Sequence, residues 1–401
     1  MDRLVNTVRP YAWGSTTAIP ALLGEQPTGE PQAELWLGAH PGDSSRVDRG
    51  AGQAALSELI AADPAAELGA ESVAKFGPQL PFLLKVLAAE LPLSLQVHPT
   101  RAQAQAGFAA EEAAGVPVEA GHRNYKDANH KPELICALDE FDGLCGFRDP
   151  LATAGLMEEL GLPGLAPLID LLRTKPAEQA LREALATVLS TDPAVVAATV
   201  DELAAVLAER LAEQPDSPRA LEWSGYAYAA RHFPGDAGVL AALLLNVVRL
   251  QPGEALYLGA GVPHAYLHGT GVEIMANSDN VLRCGLTPKH VDVPELLKVV
   301  VFQPGDPGVL RPRAGADGEE LFPVPIDEFR LSRFALGAGE QRRVDGRAAQ
   351  ILLCTEGSVR LTGADGAELE LGRGGSAYLP ATGTDTVLSG AGTLFRATVT
   401  L

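Results

Sequence analysis

The stretch LQPGEALYLGAGVPHAYLHGTGVEIMANSDNVLRCGLTPK, Leu250–Lys289, decides how the rest of the chain is read. Pro252-Gly253 turns the chain in, Ala255–Leu258 is an apolar strand, and Gly259, Gly261 and Pro263 turn it out again. His264 stands just past that turn, and strand-like alternation runs on through Glu273 and Met275. Arg283 and Lys289 then bring positive charge into an otherwise acidic chain. Glycine-rich turns that present a histidine, followed by a carboxylate and two cations, make a candidate site on β structure.

The same hairpin recurs downstream. Leu250, Gly253, Tyr257, Leu258 and Ala260 return, each 121 positions later, as Leu371, Gly374, Tyr378, Leu379 and Ala381. Two related β-barrel domains are the expectation. The position matching His264 is Asp385, so the second copy keeps the scaffold and lacks the site.

Upstream, PFLLKVLAAELPLSLQVHPT (81–100) holds two strand candidates. In the second, period-two alternation puts Ser94, Gln96 and His98 on one face and Leu93, Leu95 and Val97 on the other. Three polar side chains on one face of an apolar strand need partners, because burying them unsatisfied is costly. Before this, residues 54–78 have the spacing of one or two short helices; after it, a helix is expected over 101–113 and a strand over Glu133–Leu138. From Pro150 to about Pro234 the chain is Ala, Leu and Glu at helical spacing. Asp192-Pro193 starts one of these helices, and Val196, Val200, Leu203, Leu207 and Leu211 form its apolar stripe. A short helix follows Lys289, then a Pro/Gly/Arg-rich connector over 304–318 and strands and turns to the end, with Asp365-Gly366 as a hairpin turn.

The 401 residues suffice for two or three domains with full cores. With 31 Lys+Arg against 51 Asp+Glu, the net charge is −20. That argues against nucleic-acid binding, which needs a basic face, and an anionic substrate has to be met by a local cluster of cations. No signal-peptide core and no membrane-length apolar run occur, and Cys136, Cys145, Cys284 and Cys354 show no CxxC spacing. A cytoplasmic protein with reduced, buried thiols is expected.

Gln96, His98, Glu133 and His264 come from three strand candidates. A Gln-x-His pair puts two neighbouring ligands on one face, and a carboxylate and a second histidine complete an N/O set suited to zinc, or to Fe, Mn or Co. Hydrogen-bonded core histidines are the alternative. His130-Lys131 lies just before Glu133, with Lys131 and Glu133 on one face; a surface pair in a loop is the alternative. Arg283 suits an enediolate or a phosphate, or else a structural salt bridge. Lys85 and Lys289 are phosphate candidates, while His40, His122, His232, His268 and His290 carry no pattern and are read as structural.

PYAWGS, AELWLGAHPGDSS, PFLLKVLAAELPLSLQVHPT, NYKDANHKPEL, FDGLCGFR, LQPGEALYLGAGVPHAYLHG and SDNVLRCGLTPKH, in this order, resemble successive signatures of the type I mannose-6-phosphate isomerases. The resemblance implies a mainly β, cupin-like fold. Its metal-bearing jelly-roll barrel falls in 1–149 and 236–303, an α-helical domain inserted in that barrel in 150–235, and a second barrel without metal in 304–401. The family's ligands to one Zn2+ per chain fall on Gln96, His98, Glu133 and His264, and its catalytic arginine on Arg283. Its His-Lys pair for ring opening and proton transfer falls on His130 and Lys131. Glu34, Ser94, Glu273, Lys85 and Lys289 match further active-site positions, with Glu273 or Lys131 as the base and Ser94 with the lysines at the phosphate. The implied reaction interconverts mannose 6-phosphate and fructose 6-phosphate through a cis-enediol, in a cytoplasmic monomer without nucleic-acid or membrane partners. Its product enters carbohydrate metabolism, including GDP-mannose supply. Two other readings keep the fold: an isomerase of another sugar or sugar phosphate, and a silent sugar-phosphate-binding cupin. A cupin dioxygenase is disfavoured, because Gln96 stands where a His-x-His strand has its first histidine.

Overall fold

A computed structural model of the chain describes residues 1–315 and 317–401. Position 316, inside the expected connector 304–318, lies outside the described residues.

The long strand His264–Ala276 is the spine of the first barrel. Its first part pairs with Phe141–Phe147 and meets Leu95–Val97 at His264 opposite Gln96. Its second part lies between Phe82–Ala89 and Glu133–Ala137. Gly269 separates the two parts at φ +120°, where a Cβ would stand 2.7 Å from the Glu140 carbonyl oxygen. Glycine therefore lets one strand bend and serve both walls of the barrel.

The second barrel repeats the plan. Arg330–Leu336, Thr386–Thr398, Gln350–Thr362 and Ser376–Leu379 pair in the order of Phe82–Ala89, His264–Ala276, Glu133–Ala137 and Ala255–Leu258. The echo of the hairpin is thus structural, and it runs further than five residues. Gly269 and Gly271 return as Gly390 and Gly392, with Gly390 at φ +121°. Gln350 faces Leu379 as Glu133 faces Leu258, so a glutamine holds the place of the carboxylate. Gln350 Oε1 accepts from Arg396 Nε at 2.6 Å, and Arg396 pairs with Glu319 at 2.9 Å. The second barrel thus fills this place with its own ion pairs.

Among the described residues, five α-helices and the 3₁₀ helix Pro163–Leu165 run from Pro150 to His232, with Asp149 and Asp192 as N-caps, and a further short α-helix spans Ala237–Ala242. Val196, Val200, Leu203 and Leu207 are buried, with Leu211 packed at the edge. The 54–78 stretch forms three helices, Leu56–Ala62, Pro64–Leu68 and Ala70–Phe76, where one or two were expected. Asp63-Pro64 and Gly69 are the cause: a capping aspartate, a helix-starting proline and a glycine at φ +88° restart the helix twice. Arg101–Ala113 is helical as expected, and the helix after Lys289 spans Val293–Val299, capped by Asp292.

The largest apolar contact between the sheets sets Phe82, Leu84, Val86, Val272 and Ile274 against Phe329, Leu331, Ile351, Leu353 and Phe395. Phe82–Ala89 is consequently buried on both faces, which explains its unbroken apolar sequence and turns Lys85 into the barrel interior. Asp2–Arg3 pairs with Tyr378 and Ala377 of the second sheet. The four cysteines are free and buried, and no helix among the described residues is long and apolar enough to cross a membrane.

Candidate metal centre and active site

His98, Glu133 and His264 bring one ligand atom each to within 4.8 Å of the others, all of them buried. Glu133 Oε1 lies 3.4 Å from His98 Nε2, and its Oε2 lies 3.5 Å from His264 Nε2. Each imidazole uses Nδ1–H to donate to a carbonyl, His98 to Asn280 at 2.8 Å and His264 to Val262 at 2.9 Å. Carbonyls only accept, so both rings carry the proton on Nδ1 and turn bare Nε2 lone pairs inward. His98 Nε2 and Glu133 Oε2 are buried and have no hydrogen-bond partner. Gln96 completes the set with its amide 3.4 Å from His264 Nε2, and a half-turn of that amide presents Oε1. Two neutral imidazoles, an amide oxygen and a carboxylate, with buried lone pairs converging, fit a zinc ion.

Burial works against the charge on Glu133, yet Lys131 and His98 outweigh it and hold the carboxyl well below its usual range. Lys131 Nζ is 3.2 Å from Glu133 Oε1, on the strand face they were expected to share. Burial lowers His98 to about 4, so its ring stays neutral, as a metal ligand must.

Beside this centre lies a cavity of about 700 Å³. Its lining includes Glu34, Lys85, Ser94, Gln96, Lys131, Glu133, Glu273, Arg283 and Lys289. Lys85 Nζ stands between Glu34 Oε1 at 3.3 Å and Glu273 Oε2 at 3.6 Å. Burial opposes the ammonium, but the carboxylates of Glu34, Glu273 and Glu133 win and raise it. Glu273 also accepts from the Tyr266 hydroxyl at 2.9 Å. Burial pushes Glu273 up to about 7 against the pull of Lys85, with Glu133 and Glu34 adding to the rise. Arg283, whose strand pairs with that of Gln96, has no ion pair or hydrogen bond among the described residues, and burial lowers its pKa. The salt-bridge alternative for Arg283 is therefore not what the structure shows. Lys289 is lowered by burial and by the neighbouring charges of Arg283 and Lys126, and both Arg283 and Lys289 line the cavity.

Two expected residues have other surroundings than their assigned roles imply. Lys85 is enclosed by carboxylates and offers no free charge to a phosphate. His130 is not among the cavity's lining residues; its Nε2 is 2.8 Å from Glu328 Oε1 and 2.9 Å from Arg101 Nη2. Alternation along extended chain explains this, since Lys131 and Glu133 share one face and His130 takes the other. Of the histidines read as structural, His232 lines the cavity from the helical insertion, next to Phe233. No sequence signal links that helix end to strands more than 100 residues away. Tyr266 had a signal, two positions after His264 on the same face. Asn280 had a weaker one in its nearness to Arg283. Its side chain accepts from the backbone of Lys126 and Asp127 and donates to the carbonyls of Asp127 and Asn129, pinning the loop before Lys131.

Residues 1–150 match the family model described as phosphomannose isomerase type I, catalytic domain. Mannose-6-phosphate isomerase of Escherichia coli (strain K12) is 41% identical over 399 residues, 99% of each chain. The enzyme of that name from Homo sapiens is 34% identical over 376 residues, 88% of this chain and 86% of its own. The crystal structure of mannose 6-phosphate isomerase from Salmonella typhimurium bound to its substrate fructose 6-phosphate and to zinc covers 100% of both chains, with a TM-score of 0.90 at 40% identity.

Proposed function

The chain belongs to the type I mannose-6-phosphate isomerases, metal-dependent enzymes that interconvert D-mannose 6-phosphate and D-fructose 6-phosphate, and we propose that it works with zinc held by Gln96, His98, Glu133 and His264. The observation that carries the ligand assignment is the pair of buried, unpartnered atoms His98 Nε2 and Glu133 Oε2, turned toward His264. Zinc bound there supplies a Lewis acid for the sugar's carbonyl end.

The remaining work falls to side chains. Glu273 is the proton carrier: a buried carboxyl near 7 can both take a proton and return it at neutral pH. From the opened aldose it removes the C2 proton, leaving the cis-enediolate with its charge on O1; the hydroxyl proton passes from O2 to O1, and Glu273 delivers its proton to C1 to give the ketose. Tyr266 and Lys85 fix its orientation and hold its pKa within reach of neutrality. Arg283, free of other partners, stabilises the oxyanion side of the enediolate. Ser94, Lys289 and the nearby Lys126 meet the phosphate. Lys131 neutralises Glu133 beside the sugar carbons, and His130 acts through its place next to Lys131. Glu34 fixes Lys85. An acidic surface and the repeated barrel plan support a cytoplasmic monomer divided at 149, 235 and 303.

A coupled assay with mannose 6-phosphate tests this reading. Activity is expected to vanish with a chelator and return with zinc, and His264→Ala is expected to lose bound zinc together with rate. Full activity in metal-free protein would sink it.

A further inference from the structure

The segment from Arg283 to Lys289, which carries two of the cavity's cations, leaves the strand Leu282–Gly285 and then holds one hydrogen bond of its own, from Lys289 N to Thr287 Oγ1 at 3.2 Å. Leu286, in its middle, has φ +53°, the only left-handed non-glycine backbone among the described residues. A leucine stays there only when its surroundings impose the conformation. What imposes it is the carboxylate of Asp236. Asp236 Oδ1 accepts from Leu286 N at 3.0 Å, and Oδ2 accepts from Thr287 N at 3.1 Å. The same Oδ1 accepts from Gly238 N at 2.6 Å, capping the helix Ala237–Ala242. One side chain thus starts the helix Ala237–Ala242 and shapes the cation segment.

The packing around this joint leaves no slack. A Cβ on Gly238 would stand 2.3 Å from Leu286 N, and one on Gly285, at φ +136°, would stand 2.3 Å from Gly238 Cα. Leu286, Thr287 and Lys289 line the cavity, as does Phe233, three residues before Asp236.

We propose that Asp236 is a positioning residue for the substrate, setting Lys289 for the phosphate and Arg283 for the enediolate by clamping the backbone between them. It touches no substrate. The proposal rests on the reading in which Lys289 meets the phosphate and Arg283 the enediolate. It adds that their placement comes from the junction with the helical insertion, far from the metal.

The test measures KM and kcat for mannose 6-phosphate, bound zinc, and the thermal midpoint of zinc-loaded Asp236→Ala and Asp236→Asn. Displacing two cations by about an ångström is expected to raise KM by about 10- to 100-fold in Asp236→Ala with zinc still at one per chain, and by less in Asp236→Asn, which keeps one acceptor. Gly285→Ala, which leaves Asp236 in place and forces the joint apart, is expected to raise KM in the same way. A merely structural role would lower the midpoint and the active fraction and leave KM where it was. KM within twofold of the parent in the variants that fold overturns the proposal. Should Asp236→Ala fail to fold, Asp236→Asn and Gly285→Ala decide it by the same criterion. If the unaltered protein shows no zinc-dependent isomerase activity, the functional reading fails instead, which keeps the two failures apart.

Discussion

Glu273 sits where burial competes with the charges of Lys85, Glu133, Glu34 and Lys131, and its behaviour in pH follows from their balance. A carboxyl raised to about 7 is protonated, and useless as a base, below that pH. The acid limb of kcat/KM is therefore expected to fall as pH drops through the neutral range. Lys85 pulls that pKa down, so Lys85→Met should move the limb to higher pH, and a limb that stays put would remove Lys85 from this role. Glu273→Gln, with the same shape and no proton to carry, should cut kcat by about 10²- to 10⁴-fold. Lys131→Ala, measured in the same assay, should cost less. Among single residues, those on strands were the legible ones. Gln96, His98, Glu133 and His264 come from alternating stretches, where period two assigns each side chain a face. His130 and Lys85 differ from expectation for physical reasons: one faces away along an extended segment, and the other lines the cavity but is paired with carboxylates from two other strands. No local pattern encodes such long-range pairing.

Among elements, the bent strands decide most. Gly269 and Gly390 occupy matching bends, and at Gly390 a Cβ would lie 2.5 Å from the Ser358 carbonyl oxygen. Gly390→Ala is expected to destabilise the protein by at least about 1–3 kcal/mol, read as a lower denaturant midpoint. Because the second barrel has no metal cluster among its described residues, zinc content should hold in the fraction that stays folded. Strand and helix positions were readable from turns, caps and alternation. The restarts at Asp63-Pro64 and Gly69 were missed because the alanine-rich run keeps helical spacing across them.

At the scale of the whole molecule, the two barrels share one apolar interface. Cutting the chain after residue 303 would bare Phe82, Leu84, Val86, Val272 and Ile274, which face the second sheet. The fragment 1–303 is expected to aggregate and bind no zinc, and a soluble, zinc-loaded fragment would show that the first barrel stands alone. Saturating zinc binds only the folded state and should raise the thermal midpoint, by about 4 kcal/mol of stability at a thousandfold excess over Kd. Glu328 ties the C-terminal part to Arg101 and His130, and chiefly His130 lowers its carboxyl to about 2. A depressed carboxylate stabilises above its unfolded pKa near 4.5. That share should be lost as pH falls from there toward 2, and a Glu328→Gln variant should lose stability less steeply over the same window.

The pairing of Asp2–Arg3 with Tyr378 and Ala377 also sets a timetable for synthesis. Asp2 and Arg3 are made long before Ala377 and Tyr378, and have to wait without that strand partner until those residues have followed them. An N-terminal extension that hides or delays those residues would therefore act late, on the closing of the second sheet.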